Sequence, residues 1–356
     1  MRTQFLAATV LFLTMIASFN TYGAPGESII LNPTTGDYLI TYYGTGNPGD
    51  KKNKILRQVT FVPATKIEPV VESTFKLREG GEIVYRYRIT SGQKSKQPLI
   101  AMRFDPITAI VGTVPFPVNN LNLNPNTVEQ IYTAGKAALT TPNGWTSTNF
   151  ERQPGKLRIS WGYENLDSFS SGLAPGKTQG GFGFSSKDIP GIGIGQLTGN
   201  SPIRGFVDQG PVGEISDQLE MLTKNDFVAR NAAVPTIAVP DPFDASVTLE
   251  RIQSHMHTWI DMQLLDATFS AQLDRYFQSA INAYRLNQPR VGKKQIQTMR
   301  ELIKKEQHEA DREDDNDDLG EKSDDNDKNK RVLIDKLAAR ILDFDLKYIL
   351  KRLGED

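Results

Sequence analysis

Two periods divide this chain. From residue 28 to about 215, apolar residues recur at every second position in short runs. From Asp244 onward they recur at every third and fourth. The clearest two-residue pattern is Ser73 to Thr90. Phe75 and Leu77 alternate with Lys76 and Arg78, and Ile83, Tyr85, Tyr87 and Ile89 alternate with Val84, Arg86 and Arg88. Successive side chains of a strand point to opposite faces, so this is a hairpin with an aromatic and aliphatic inner face and a basic outer one. Glu79-Gly80-Gly81-Glu82 supplies its turn, because glycine takes positive φ without steric cost.

Further strands are predicted over Ser28–Leu31, Asp37–Tyr43, Ile55–Val62, Lys66–Val71, Pro98–Phe104 and Lys156–Tyr163, separated by Gly, Pro and Asn turns. In the last of these Leu157, Ile159 and Trp161 share one face, which places Trp161 in the core. Many short strands with this punctuation predict an all-β sandwich over residues 25–233. Val234–Phe243, with three prolines in ten residues, reads as a stiff extended linker.

The helical pattern covers 244–356. Phe269, Leu273, Phe277, Ala280, Ile281 and Tyr284 form one stripe. Lys293–Ala310 carries Ile296, Met299, Leu302 and Ile303, and Val332–Leu353 carries Ile334, Leu337, Ala338, Ile341, Phe344 and Tyr348, with Gly354 placed to end it. Three such stripes bury one another in a small antiparallel bundle. The segment 311–330 holds ten carboxylates and four basic residues, and it reads as a disordered acidic loop, since nothing in it offsets the entropy of ordering. The fold class is therefore multidomain: an Ig-like all-β sandwich, then an α-helical bundle.

Residues 1–24 read as a secretory signal. Arg2 precedes an uncharged apolar run from Phe5 to Phe19, and small residues follow, with the cut placed after Gly23. That run is too short to span a bilayer, and no other run is longer, so no transmembrane segment is expected after processing. There is no cysteine among the 356 residues. An exported chain without disulfides points to a bacterial secreted or periplasmic protein, and thiolate metal sites and cysteine nucleophiles are excluded. Lys plus Arg (41) and Asp plus Glu (42) nearly cancel, so no nucleic-acid partner is indicated.

Chemical motifs are sparse. Gly172-Leu-Ala-Pro-Gly176-Lys177-Thr178 has three residues where a phosphate loop needs four, and Gly191-Ile-Gly-Ile-Gly195 lacks the third spaced glycine of a dinucleotide loop. Both read as β connections, and no cofactor is expected. Glu250, His257 and Asp261 could share a helical stripe as metal ligands. Asp315, Asp317 and Gly320 match part of a calcium-loop register, but Leu319 and Asn326 stand where ligands are needed. Asp167, Asp188 and Glu164, near Trp161 and Tyr163, are the acids a glycosidase would use. Trp145, in the turn-like Thr141-Pro-Asn-Gly-Trp145-Thr, offers an exposed flat face for a sugar ring, and Arg86 and Arg88 offer cationic contacts on the hairpin's wet face.

The run from Phe269 to Leu353, with Gly292-Lys293-Lys294 and LIDKLAARILDFDLKYILKRL, resembles the FIMAH-type helical module of secreted bacterial enzymes and binding proteins. The acidic loop departs from that pattern. The resemblance implies an extracellular accessory role and assigns no catalytic residues. The β region resembles, generically, the immunoglobulin-like sandwiches of secreted bacterial proteins. The leading function is non-catalytic binding of an extracellular glycan or protein, at the cell surface or in the matrix. A secreted carboxylate-based glycoside hydrolase and a purely structural extracellular component are the alternatives.

Overall fold

The computed structural model of the chain describes residues 25–45, 54–112, 137–153, 156–166, 170–201, 211, 213–224, 226–317 and 332–354. The predicted signal, Asp167 and most of the acidic segment lie outside them. The described residues fall into two compact units. The first holds β1 (Ser28–Leu31), β2 (Tyr38–Thr45) and β3 (Lys54–Phe61), an antiparallel meander, together with α1 (Glu214–Thr223). Ile40, Tyr42 and Phe61 are buried in it.

The second unit holds everything else. β4 (Pro69–Leu77), β5 (Ile83–Ser91) and β9 (Thr178–Ser186) form a three-stranded sheet, with β5 in the middle. β6 (Leu99–Ile107), β7 (Trp145–Gln153), β8 (Lys156–Tyr163), β10 (Ile189–Gly199) and β11 (Val228–Ile237) form a five-stranded sheet in the order β11-β10-β6-β8-β7. The β4–β5 hairpin forms in the predicted register, Phe75 opposite Tyr85 and Leu77 opposite Ile83, with Gly80 and Gly81 at φ of 95° and 85°. The two sheets face each other through aromatic rings. Tyr87 of one meets Phe104 of the other at 4.6 Å between centroids, and Trp161 stacks on Phe184 at 6.4 Å. Offset and edge contacts at these distances add to the apolar area the rings bury. The buried Tyr85 and Tyr87 hydroxyls donate to the carbonyls of Asp188 and Ala233, so neither is orphaned.

Two expectations about the boundary are corrected here. Val234–Ile237, placed in a linker, completes β11. Proline is tolerated there because β11 lies at the edge of its sheet, where a missing N–H breaks no ladder on the outer side. The helices α2 (Ala245–Asp261), α3 (Ala267–Arg285), α4 (Pro289–Asp317) and α5 (Lys336–Arg352) also do not bury their stripes only against one another. Phe344 of α5 meets Phe75 of β4 edge-on at 5.0 Å, and Arg340 donates to the Ser73 carbonyl. One continuous core runs from the sandwich into the helices. Asp244, Asp266 and Asp335 cap α2, α3 and α5, each accepting backbone N–H bonds from the first turn. Residues 332–335, predicted helical, instead pair with the chain before α3: Asp266 N–H donates to the Leu333 carbonyl and Asp335 N–H to the Leu264 carbonyl, both at 2.8 Å.

α4 runs through Asp317, so the first part of the predicted acidic loop is helix. On α5, Asp345 is fully buried and neither carboxylate oxygen has a partner among the described residues. Burial holds its carboxyl well above the usual range, because desolvation disfavours the charged form.

Candidate functional site

The groove that stands out is formed where α2 crosses the end of the five-stranded sheet. Its volume is about 450 Å³. Arg251, Ser254, His255 and Thr258 line one wall, at helical spacings that put them on one face of α2. Thr236, Ile237 and Ala238, from the end of β11, line another, with Thr108 after β6 and Lys156 at the start of β8. Asp244 sets the start of α2: its side chain accepts from Val247 N–H at 3.0 Å. That bond lowers its carboxyl pKa, which keeps the cap ionised at the positive helix end.

His255 joins the two walls. β6 pairs with β10 only from Gly195 to Gly199, so β10 is free of β6 beside Ile192, and His255 Nε2 accepts the Ile192 N–H at 3.1 Å. An accepting Nε2 is unprotonated, which puts the proton on Nδ1. Desolvation lowers the pKa of His255 to about 4, so the ring is neutral at physiological pH. Gly191 makes the approach possible: a Cβ there would collide with Thr236 Oγ1 and with His255 Nε2.

The groove's remaining polarity is cationic and hydroxylic. Arg251 donates from Nη1 to the Ala238 carbonyl at 2.6 Å, which fixes the guanidinium at the rim. The Lys156 ammonium and the Ser254 hydroxyl have no hydrogen-bond or ion-pair partner among the described residues. Thr108 donates to the Pro235 carbonyl at 2.9 Å. Among the described residues that line the groove none is acidic. Such a site can neutralise an anion and hydrogen-bond hydroxyls; it offers no carboxylate pair and no free base for proton transfer.

The residues singled out by sequence do not come together. Trp145 is buried at 4% exposure, not presented to solvent: it opens β7, opposite Tyr163, and its ring meets Phe182 at right angles, 5.0 Å away. It packs in the core beside Trp161 and cannot serve as a sugar platform. Arg86 and Arg88 are exposed on the outer face of β5, as predicted, and Arg88 pairs with Glu72 at 3.4 Å. Asp315 and Asp317 lie within helix α4 and not in a loop. Glu250 pairs with Arg285 and His257 with Asp274, so the predicted metal stripe is divided between other partners. Among the described residues no group of three or more metal-ligating side chains converges. Asp188 is buried, and its carboxylate accepts the Val239 N–H at 3.0 Å. Gly176-Lys177 forms a turn before β9, and Gly191–Gly195 lies within β10. Arg251, Ser254 and His255 are not marked as a site by sequence, since a polar helix stripe reads as a solvated face, and Lys156 opens a strand whose neighbours in space nothing local shows.

The fold defines a β-sandwich protein with a packed C-terminal helical layer. No family model matches the chain, and no curated protein matches it. Two solved structures are similar over part of it. An uncharacterised protein from Nocardia farcinica, described as having an immunoglobulin-like fold, aligns at 18% identity over 37% of this chain and 80% of its own, with a TM-score of 0.23. A cohesin module of a family 33 glycoside hydrolase from Clostridium perfringens aligns at 9% identity over 48% of this chain and 98% of its own, also at 0.23. Likeness this slight carries no weight for function. Among the described residues no helix is long and apolar enough to cross a membrane.

Proposed function

We propose that the chain is an exported bacterial binding protein that holds its ligand without transforming it, with the C-terminal helices as a FIMAH-type accessory layer on the sandwich. The observation that carries this reading is the groove on α2. It presents an unpaired ammonium, an anchored guanidinium and several hydroxyls, while its one imidazole is committed to the Ile192 N–H. A site with donors and no free acid or base is suited to holding a ligand and ill-suited to bond cleavage. The apolar run after Arg2 supports export, and the absence of cysteine supports a bacterial source for an exported chain. The test is incubation of the full-length processed protein with an extracellular glycan panel, reading retention and newly formed reducing ends together. Retention without new ends is expected; new ends at a rate proportional to protein would replace this reading with a hydrolase.

A further inference from the structure

We propose that the α2 groove selects carboxylated saccharides, with Lys156 and Arg251 reading the carboxylate and the groove hydroxyls reading the sugar's own. This deepens the binding function proposed above and rests on it. Both cations belong to the lining of one groove, and among the described residues that line it none is acidic. Lys156 has no partner among the described residues, so binding an anion there breaks no ion pair among them. Arg251 is held by its Nη1 bond to Ala238, which leaves the other donors of a planar, permanently charged fork. Such a fork matches the two oxygens of a carboxylate, and a pre-set guanidinium loses little rotamer freedom on binding.

The hydroxyls narrow the class further. Ser254, Thr236 and Thr258 lie along the same walls. Ser254 has no partner among the described residues, and the Thr258 hydroxyl donates its proton to the His255 carbonyl while its oxygen can still accept. Groups able to accept and donate beside two cations suit a ligand that carries hydroxyls next to its charge. A bare inorganic anion can use them as donors, but a hydroxylated ligand can engage them both as donors and as acceptors. The open volume of about 450 Å³ accommodates a ligand of one to a few sugar rings, not a polymer face. His255 contributes shape and no charge, since its Nε2 is occupied by Ile192 N–H.

The experiment is calorimetric titration of the full-length processed protein with a galacturonate trimer, a neutral galactose trimer and inorganic phosphate, repeated for Lys156→Gln and Arg251→Gln. Arg86→Gln serves as the control on the opposite, outer sheet face. Thermal unfolding of each variant establishes that it is folded. The uronate trimer should bind at least tenfold more tightly than the neutral trimer and than phosphate. Each groove variant should lose about tenfold, as expected for one charge-assisted contact, and Arg86→Gln should lose nothing. Equal binding of the two trimers, phosphate binding that matches the uronate, unchanged affinity in folded groove variants, or no binding of the uronate trimer would each overturn the proposal. Release of new reducing ends alongside selective uronate binding would instead overturn only the non-catalytic reading and leave the charge selection standing.

Discussion

Asp345 gives the sharpest test of the core. It is fully buried on α5 with neither oxygen paired, and burial raises its pKa well above the ordinary 3.8. The acid is therefore protonated in the folded chain over a range where the unfolded chain releases its proton. Its contribution is fully present below the unfolded value and is lost as pH rises toward the folded value. Each pH unit in that window costs about 1.4 kcal/mol of stability. His255 acts in the opposite direction. Its folded pKa, about 4, lies below the ordinary 6.5, so its contribution is present above 6.5 and lost as pH falls to about 4. That loss is at most about 3.5 kcal/mol over the window, again at about 1.4 kcal/mol per unit. Both groups lie in the same compact unit, so between about pH 4.5 and 6 their slopes oppose and largely cancel. Asp345→Asn removes one slope and leaves the other exposed. Urea unfolding at half-unit steps from pH 4.5 to 8, with the m-value held as a check, reads this directly. The variant's stability should gain on the wild type by about 1.4 kcal/mol for each unit climbed, until the wild-type acid ionises in the fold. His255→Gln should show the mirror image, losing the acid-side dependence. Parallel profiles for wild type and Asp345→Asn would mean that Asp345 is ionised or paired in the folded chain, and the reasoning would fail.

Three further outcomes follow from the geometry. Gly191→Ala forces a Cβ into Thr236 and His255, so it should cost about 1–3 kcal/mol and move the His255 imidazole titration by NMR toward 6.5. Phe344→Ala removes an edge contact of a half-buried ring between α5 and β4 and should cost about 1–3 kcal/mol in a single transition shared by far-UV and near-UV signals; separate transitions would show that helices and sandwich unfold independently. Asp335→Ala removes the cap that accepts from Leu337 and Ala338 and should cost about 1 kcal/mol by thermal unfolding, with Asp335→Asn restoring most of it.

The parts of the fold legible in the sequence are those fixed by short-range period. The β4–β5 hairpin, the burial of Trp161 and the stripes on α3, α4 and α5 need only alternation or helical spacing to be placed. Trp145 was misplaced because its neighbours Pro142, Asn143 and Gly144 do form a turn; what buries it is pairing of β7 with β8 and a ring from the opposite sheet, both distant in sequence. Only the last four residues of β11, Val234–Ile237, carry the linker pattern, because proline usually breaks a ladder, and only the edge position excuses Pro235. Asp345 lies four residues after Ile341 and three before Tyr348, so the helical stripe carries it inward whatever its charge. The groove had no local signal at all. It exists because α2 crosses the open end of β10, and His255 is drawn in by a backbone N–H that has no strand partner on that side.

The proposed function places ligand binding on α2 and not on the basic face of the hairpin. Amide chemical-shift mapping of the full-length protein with the galacturonate trimer tests it most directly. Perturbations should cluster at Lys156, Ile192, Thr236–Ala238 and the α2 residues 251–258. A cluster centred on Arg86 and Arg88, with the α2 groove silent, would contradict it.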